Sequence, residues 1–258
     1  MVNFYTQMIT KERLTEGELL ELKMFDTPTI HNGWEQFTAR DPGRECFNLE
    51  PVQDYMPEFG TMVGYAVTLV IEPGNRTHTT NSSAWSDYRR YVGSIPGPKI
   101  VMVQDLDKPR TYGSVWGEVQ ATIHRGLDCA GVIVDGGVRD IPQMRALGFK
   151  ALARQLCVGH AYGTPVQWGT GIEVFGCPVV PGQLVLADQH GFLVVPSEDE
   201  ARLLEAVAFM DRLEKHSKIA AARVGRASGL KEYLDRIDEA NREFKQQAIK
   251  KFTRSGQS

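Results

Sequence analysis

Arg139 and Asp140 stand side by side immediately after Gly131-Val132-Ile133-Val134-Asp135-Gly136-Gly137-Val138. A guanidinium that can fork onto a carboxylate or a ketone is thus joined to a carboxylate that can hold a hard cation. Val132 to Val134 read as a buried strand, because β-branched side chains suit a packed, pleated surface. Gly136 and Gly137 would then let the backbone turn sharply or approach a ligand closely. The pair would leave the end of a core strand on a rim. The plainer reading of the same dipeptide is a surface ion pair capping the next helix.

The segments that must position this pair can be read from pattern. Gly64 to Ile71, Lys99 to Gln104 and Ala151 to Leu156 are further strands by their apolar, β-branched runs. A helix is predicted from Glu118 to about Arg125, directly after Trp116-Gly117, so Glu118 lies in a first turn. Ile141 to Leu147 form a short helix stopped by Gly148. Residues 9–24 suggest one or two helices, and Thr29 or Asn32 could cap a helix running through Trp34 and Phe37. Residues 39–60 read as loop. Residues 75–94 read as a polar loop leading into a helix that Ile95-Pro96-Gly97-Pro98 breaks.

The Gly-rich run 159–171 reads as a loop long enough to be functional, and His160 within it could face a substrate. Short strands follow around Val174, Val179, Leu184 to Ala187 and Phe192 to Val195, with Asp188 and His190 as turn chemistry. From Glu198 a helical period sets in. A last helix after Gly229 carries Leu230, Tyr233, Leu234, Ile237, Phe244 and Phe252, whose apolar stripe needs its own domain or another subunit as partner. Lys150, at a strand start, would ordinarily be solvated. A desolvated lysine there could form a Schiff base.

The 258 residues suit one large domain, of which residues 229–258 form a C-terminal helical extension. A net charge of -3 offers no basic face for nucleic acid. Cys46, Cys129, Cys157 and Cys177 lie far apart without a C-x-x-C pair, which predicts buried free thiols rather than a zinc site or a disulfide framework. Neither a signal peptide nor a membrane span is visible, so the expected location is cytoplasmic.

Gly131 to Asp140 resembles the signature of the RraA-like family, which includes the 4-hydroxy-4-methyl-2-oxoglutarate aldolases. The likeness extends through Gly64-Tyr65-Ala66-Val67-Thr68, Trp116-Gly117-Glu118, Gly148-Phe149, Ala153-Arg154, Val180-Pro181-Gly182 and Ala187-Asp188-Gln189-His190-Gly191 to Val194-Val195-Pro196. It covers about residues 25 to 230. The resemblance implies an α/β fold of the swivelling, layered α/β/β/α type with helical N- and C-terminal extensions, assembled as a homotrimer or homohexamer.

It also implies a lyase that acts on a 2-oxo acid through a pyruvate enolate. That covers retro-aldol cleavage of a 4-hydroxy-2-oxo acid and decarboxylation of oxaloacetate. By resemblance Asp140 would hold Mg²⁺, Mn²⁺ or another divalent cation, and Arg139 would stabilise the enolate. Gly117 and the backbone amides near Val119 and Gln120 would bind the substrate carboxylate. Twenty residues (119 to 138) separate Glu118 from Arg139, and the family's aldolases have aspartate at this position. Glu118 therefore reads as a substitute one methylene longer. Glu214 is the match for a glutamate that the family's site borrows from a neighbouring subunit. The family's ribonuclease regulators have glycine in place of Glu118 and an acidic residue in place of Gln143. Both positions here lean towards the enzyme and away from a non-catalytic regulator that binds an RNA-degrading enzyme. The old methyltransferase label of the family lacks its Gly-rich cofactor loop in this chain.

Overall fold

The computed structural model describes residues 13–227 and 229–253. Its backbone divides into two compact units: the described residues up to Thr27 with Gly43–Glu200, and Pro28–Pro42 with the described residues from Ala201 onwards.

The first unit is built on a nine-stranded sheet. Its strands are β1 (Gln53–Asp54), β2 (Met62–Ile71), β3 (Lys99–Asp105), β4 (Ser114–Trp116), β5 (Cys129–Val138), β6 (Lys150–Leu156), β7 (Pro165–Trp168), β10 (Leu184–Asp188) and β11 (Gly191–Val195). The path runs β1-β6-β5-β3-β2-β10-β11, with β4 paired to β5 and β7 to β2. Strands β2, β3, β5 and β6 are mutually parallel, so their C-terminal ends share one edge. The hairpin β8 (Ile172–Val174) and β9 (Cys177–Val179) forms a second, small sheet.

Alternation along the strands decides what each face covers. Val67, Leu69, Val101, Val103, Val132 and Val134 point to one side, where Tyr88 and Val92 of α3 (Ala84–Gly93), Ala121 of α4 (Glu118–Arg125) and Met144 of α5 (Ile141–Ala146) close the core. Ala66, Val70, Ile100, Met102, Ile133 and Leu152 point to the other, against Val174, Phe175 and Val179 of the hairpin and Val185 and Val194 of β10 and β11. The chain has the expected mixed α/β architecture, with helices over one face of the sheet and β-structure over the other.

Several local readings need correction. Gly136 and Gly137 do not turn the chain, since β5 runs through both to Val138. They are small because a side chain at Gly136 would meet the Asp105 carboxylate and one at Gly137 would meet Cys157 and Thr111. The sharp turn comes at Asp140 itself, with φ 57° and ψ 37°. Thr29 and Asn32 are not caps. Both lie inside the helix α2 (Thr27–Trp34), and Pro28 occupies its first turn, where its missing N–H costs nothing. Thr27 is fixed from outside, its amide and hydroxyl both donating to Asp188 at 2.7 Å. The run 159–171 is not all loop, because β7 lies within it. In the first turn of the described chain, Thr15 and Glu18 form a capping box at the start of α1 (Glu16–Leu22).

Two of the four free thiols, Cys129 and Cys177, are buried, while Cys46 and Cys157 are half-buried. Lys150 is not solvated. Its ammonium is buried, paired with Asp54 at 2.7 Å, and donates to the Gly60 and Met56 carbonyls.

The second unit is helical. It holds Pro28 to Trp34 of α2, α6 (Glu200–Glu214) from Ala201, a π-helical turn (Lys215–Ile219), α7 (Ala220–Arg223) and α8 (Leu230–Thr253). Met210 and Leu213 of α6 bury Ala248 of α8 with Phe209, Phe244 and Phe252 around them. The distal half of the α8 stripe is therefore covered within this unit, whereas Leu230 and Leu234 remain exposed.

Candidate active site

Three segments of the first unit meet at the C-terminal ends of the parallel strands. The first is the turn after β5, carrying Arg139 and Asp140. The second is the junction of β4 and α4, at Trp116, Gly117 and Glu118. The third is the loop from Cys157 to Gly163. They enclose a cleft of about 190 Å³ lined by Trp85, Ser114, Val115, Gly117, Val119, Gln120, Arg139, Asp140, His160 and Gly163.

Backbone pairing fixes the segments to one another. The Arg139 amide donates to the Trp116 carbonyl at 3.0 Å and the Cys157 amide to the Val138 carbonyl at 2.9 Å. Asp140 precedes the first residue of α5, and its left-handed conformation swings its carboxylate back over α4. Its Oδ2 accepts the Glu118 amide at 3.1 Å. Gly117 is required here by space alone, since a Cβ would fall on the Asp140 carboxylate. Arg139 extends alongside. Its Nε lies 3.6 Å from Asp140 Oδ2, and its Nη1 donates to the Val158 carbonyl at 3.3 Å. Both side chains keep more than a third of their surface in solvent, so neither is committed to a closed ion pair.

Helix α4 presents its N-terminus to the cleft. The first amides of a helix have no partner within it. Glu118 gives its amide to Asp140, and the next two residues of that first turn, Val119 and Gln120, line the same cleft as Arg139. Below them α4 is anchored through His124, whose Nδ1 donates to the Gln120 carbonyl at 2.7 Å and whose ring packs 4.9 Å from that of Trp116. Burial pushes the His124 pKa down to about 4, so this ring is neutral and structural. Arg89 reaches the Gln120 side chain at 3.4 Å and lies over the Trp85 ring, whose Nε1 donates to the Gly163 carbonyl at 3.2 Å.

Of the residues singled out from sequence, the fold brings Gly117, Val119, Gln120, Arg139 and Asp140 into one cleft. Glu118 contributes its amide, but its side chain is exposed and is not part of the lining. Glu214 closes α6 in the second unit, paired with Lys218 at 2.7 Å. Trp85, Ser114 and Gly163 were not marked by any local pattern. Lys150 lies away from the lining, with its three protons taken up by Asp54, Met56 and Gly60.

The donor set bears on a metal. Among the described residues no group of three or more His, Cys, Asp or Glu side chains is arranged to hold an ion. Asp140 alone offers a carboxylate to the cleft, and its Oδ1 accepts no hydrogen bond among the described residues. That fits a cation such as Mg²⁺, which keeps most of its waters and takes one or two carboxylates with substrate oxygens. It does not fit an ion caged by protein ligands.

Comparison with known proteins agrees with this architecture. The family model RraA-like (Aldolase/RraA) matches residues 27–194. A provisionally named 4-hydroxy-4-methyl-2-oxoglutarate aldolase of Halalkalibacterium halodurans is 26% identical over 137 residues, 53% of this chain and 64% of that protein. The chain spans less than two thirds of the length of the curated relatives it matches. A solved structure of an uncharacterized protein from Pseudomonas syringae superposes with a TM-score of 0.68 at 18% identity, covering 90% of this chain and 96% of that one. Streptomyces coelicolor RraAS2, described as an unusual member of the RNase ES inhibitor RraA protein family, superposes with a TM-score of 0.61 at 22% identity over 80% of this chain and 96% of its own. At these identities the superpositions speak for the fold.

Proposed function

The chain belongs to the RraA-like family, and we propose that it is a metal-dependent lyase that cleaves a C–C bond next to a 2-oxo acid through a pyruvate enolate. One observation carries this reading: a free helix N-terminus, a guanidinium and a half-exposed carboxylate converge on one cleft. The Val119 and Gln120 amides suit the substrate carboxylate, by dipole and by hydrogen bonding. Arg139 reaches the 2-keto oxygen from beside them, where charge develops as the enolate forms. Asp140 would hold a divalent cation, Mg²⁺ or Mn²⁺, directly or through its waters. Such an ion supplies Lewis-acid polarisation of the keto oxygen. The same fixed positive charge serves retro-aldol cleavage of a 4-hydroxy-2-oxo acid and decarboxylation of oxaloacetate, since both produce the same enolate.

One feature supports a further subunit at the cleft. Val119 and Val158, in the segments that build it, and Leu156, which precedes the third of them, are 69%, 96% and 57% exposed, a concentration of apolar surface that another protein surface would cover. Glu214 can then serve as a carboxylate supplied from a neighbouring copy in a trimer or hexamer. The exposed Glu118 carboxylate at the cleft mouth would act on water rather than on substrate directly.

The test is pyruvate release from 4-hydroxy-4-methyl-2-oxoglutarate and from oxaloacetate with Mg²⁺ present. Activity is expected with the cation, to be lost on chelation, and to survive borohydride in the presence of substrate, because the buried Lys150 is unavailable for a Schiff base. Full activity after chelation, or inactivation by borohydride, would overturn the proposal.

A further inference from the structure

A retro-aldol cleavage needs a group that takes the proton from the 4-hydroxyl and a group that delivers one to C3 of the enolate. The cleft offers few candidates. Arg139 stays protonated and cannot act as a base. Asp140 already accepts the Glu118 amide and faces Arg139. The Ser114 hydroxyl is buried and donates to the Trp116 carbonyl at 2.7 Å. The Glu118 carboxylate stands outside the lining. His160 remains, and it is the one imidazole lining the cleft among the described residues.

His160 is presented by a loop held at many points. Arg139 donates to the Val158 carbonyl at 3.3 Å, Ser114 to that of Gly159 at 2.8 Å, Gly163 to that of His160 at 3.1 Å, and Trp85 to that of Gly163 at 3.2 Å. Tyr162 donates to the Pro73 carbonyl at 3.0 Å. Gly113 packs so closely that a Cβ there would meet the His160 carbonyl and Ala161. Ala161 takes φ +43°, a left-handed conformation costly for a residue with a Cβ. That turn brings its carbonyl to 2.9 Å from His160 Nδ1. A carbonyl only accepts, so Nδ1 carries the hydrogen. In the neutral ring Nε2 is then the lone-pair nitrogen, and it has no partner among the described residues. An exposed imidazole on a pinned loop, sharing the cleft lining with Arg139, is placed to exchange protons there.

We infer that His160 is the catalytic base and acid of this cleft, an assignment that rests on the lyase reading above. Nε2 takes the proton of the C4 hydroxyl. The C3–C4 bond breaks, its electron pair passes into the enolate, and C4 becomes a carbonyl that leaves. Nε2–H then returns the same proton to C3, giving pyruvate, with no net change in protons or electrons. In decarboxylation of oxaloacetate only the final protonation involves it, and the proton comes from solvent by way of Nε2.

The experiment is deuterium uptake at C3 of pyruvate in D2O, followed by proton NMR with Mg²⁺, in wild type, His160→Gln and His160→Asn. Oxalate binding is measured calorimetrically on each. Wild type is expected to exchange, both variants to lose about 10²–10⁴-fold in exchange rate with unchanged oxalate affinity, and added imidazole to restore part of the rate. Wild-type exchange in either variant would overturn the assignment. Parallel loss of oxalate binding would do the same by making His160 a binding residue. A wild type that neither exchanges nor releases pyruvate would overturn the lyase reading, and this assignment with it.

Discussion

Two aspartates, Asp135 within β5 and Asp140 in the turn that follows it, lie five positions apart and meet opposite fates. Asp135 is fully buried, yet it receives Arg154 through Nε at 3.0 Å and again through Nη2, Lys108 at 3.0 Å and the Phe175 amide at 2.9 Å. Arg154 and Lys108 both turn also to Glu50, and Lys108 first and Arg154 second hold that carboxyl below its usual range. Every oxygen of Asp135 is occupied. Asp140 has one amide, one arginine at 3.6 Å and open solvent. A buried charge persists only with partners, so the saturated cluster ties β5 and β6 to the hairpin and the loop at Glu50. The unsaturated pair has hydrogen-bonding capacity to spare for a ligand. The same residue types yield structure in one place and a candidate site in the other.

The comparison predicts separable losses. The largest concerns the buried cluster: Arg154→Ala leaves Glu50 and the buried Asp135 to share the cation Lys108 and should cost about 3–5 kcal/mol of stability. Urea unfolding checks this, and a midpoint like that of wild type would show that Asp135 finds other compensation. Next comes Arg139→Lys, which keeps the charge but loses the planar fork. Turnover should fall at least about 10²-fold while the urea midpoint stays in place. A loss of stability without loss of turnover would assign Arg139 to the fold.

Much of the first unit was legible from local pattern, because β-branched runs such as Val132 to Val134 and Ile100 to Val103 specify buried strands wherever they fall. What failed was set by distant residues. Gly136 and Gly137 carry the mark of a turn, but the space their side chains would fill belongs to Asp105 and Cys157, some thirty and twenty residues away in the chain. The start of α2 is governed by Asp188, 161 residues from Thr27. The site shows the same division. Arg139, Asp140 and the α4 start announce themselves by residue type, whereas Trp85, Ser114 and Gly163 are ordinary loop and strand residues until the fold brings them to the cleft. Glu118 illustrates the converse: its position in the chain was legible, but whether its amide or its carboxylate faces the cleft depends on the turn at Asp140.

A smaller effect is expected at the edge of the buried cluster. Asp105 lies beside Gly136, its Oδ1 accepting the Asp107 amide at 3.0 Å, its Oδ2 buried without a hydrogen-bond partner among the described residues. Burial, with the charges of Asp107 and Asp135 adding, pushes its pKa up to about 7 against the Asp107 amide hydrogen bond and the weaker pull of Arg154. A carboxyl whose pKa is raised on folding binds more protons in the folded state than in the unfolded one between about pH 4 and pH 7. Its contribution to stability is thus full below about pH 4, falls as the pH rises to about 7, and is level above. Asp105→Asn cannot ionise, so its unfolding free energy should change less between pH 5 and pH 8 than that of wild type. An identical pH dependence in both proteins would show that Asp105 is already charged in the fold.

Whether the Arg139–Asp140 cleft is a cation-assisted 2-oxo acid site is decided by titrating oxalate, a planar mimic of pyruvate enolate, into the protein by calorimetry. Wild type should bind oxalate with Mg²⁺ present, and binding should fail with chelator or in Asp140→Asn and weaken about tenfold or more in Arg139→Lys, on the scale of a lost charged hydrogen bond. Equal oxalate affinity in all four conditions, or none in wild type with Mg²⁺, would contradict the account.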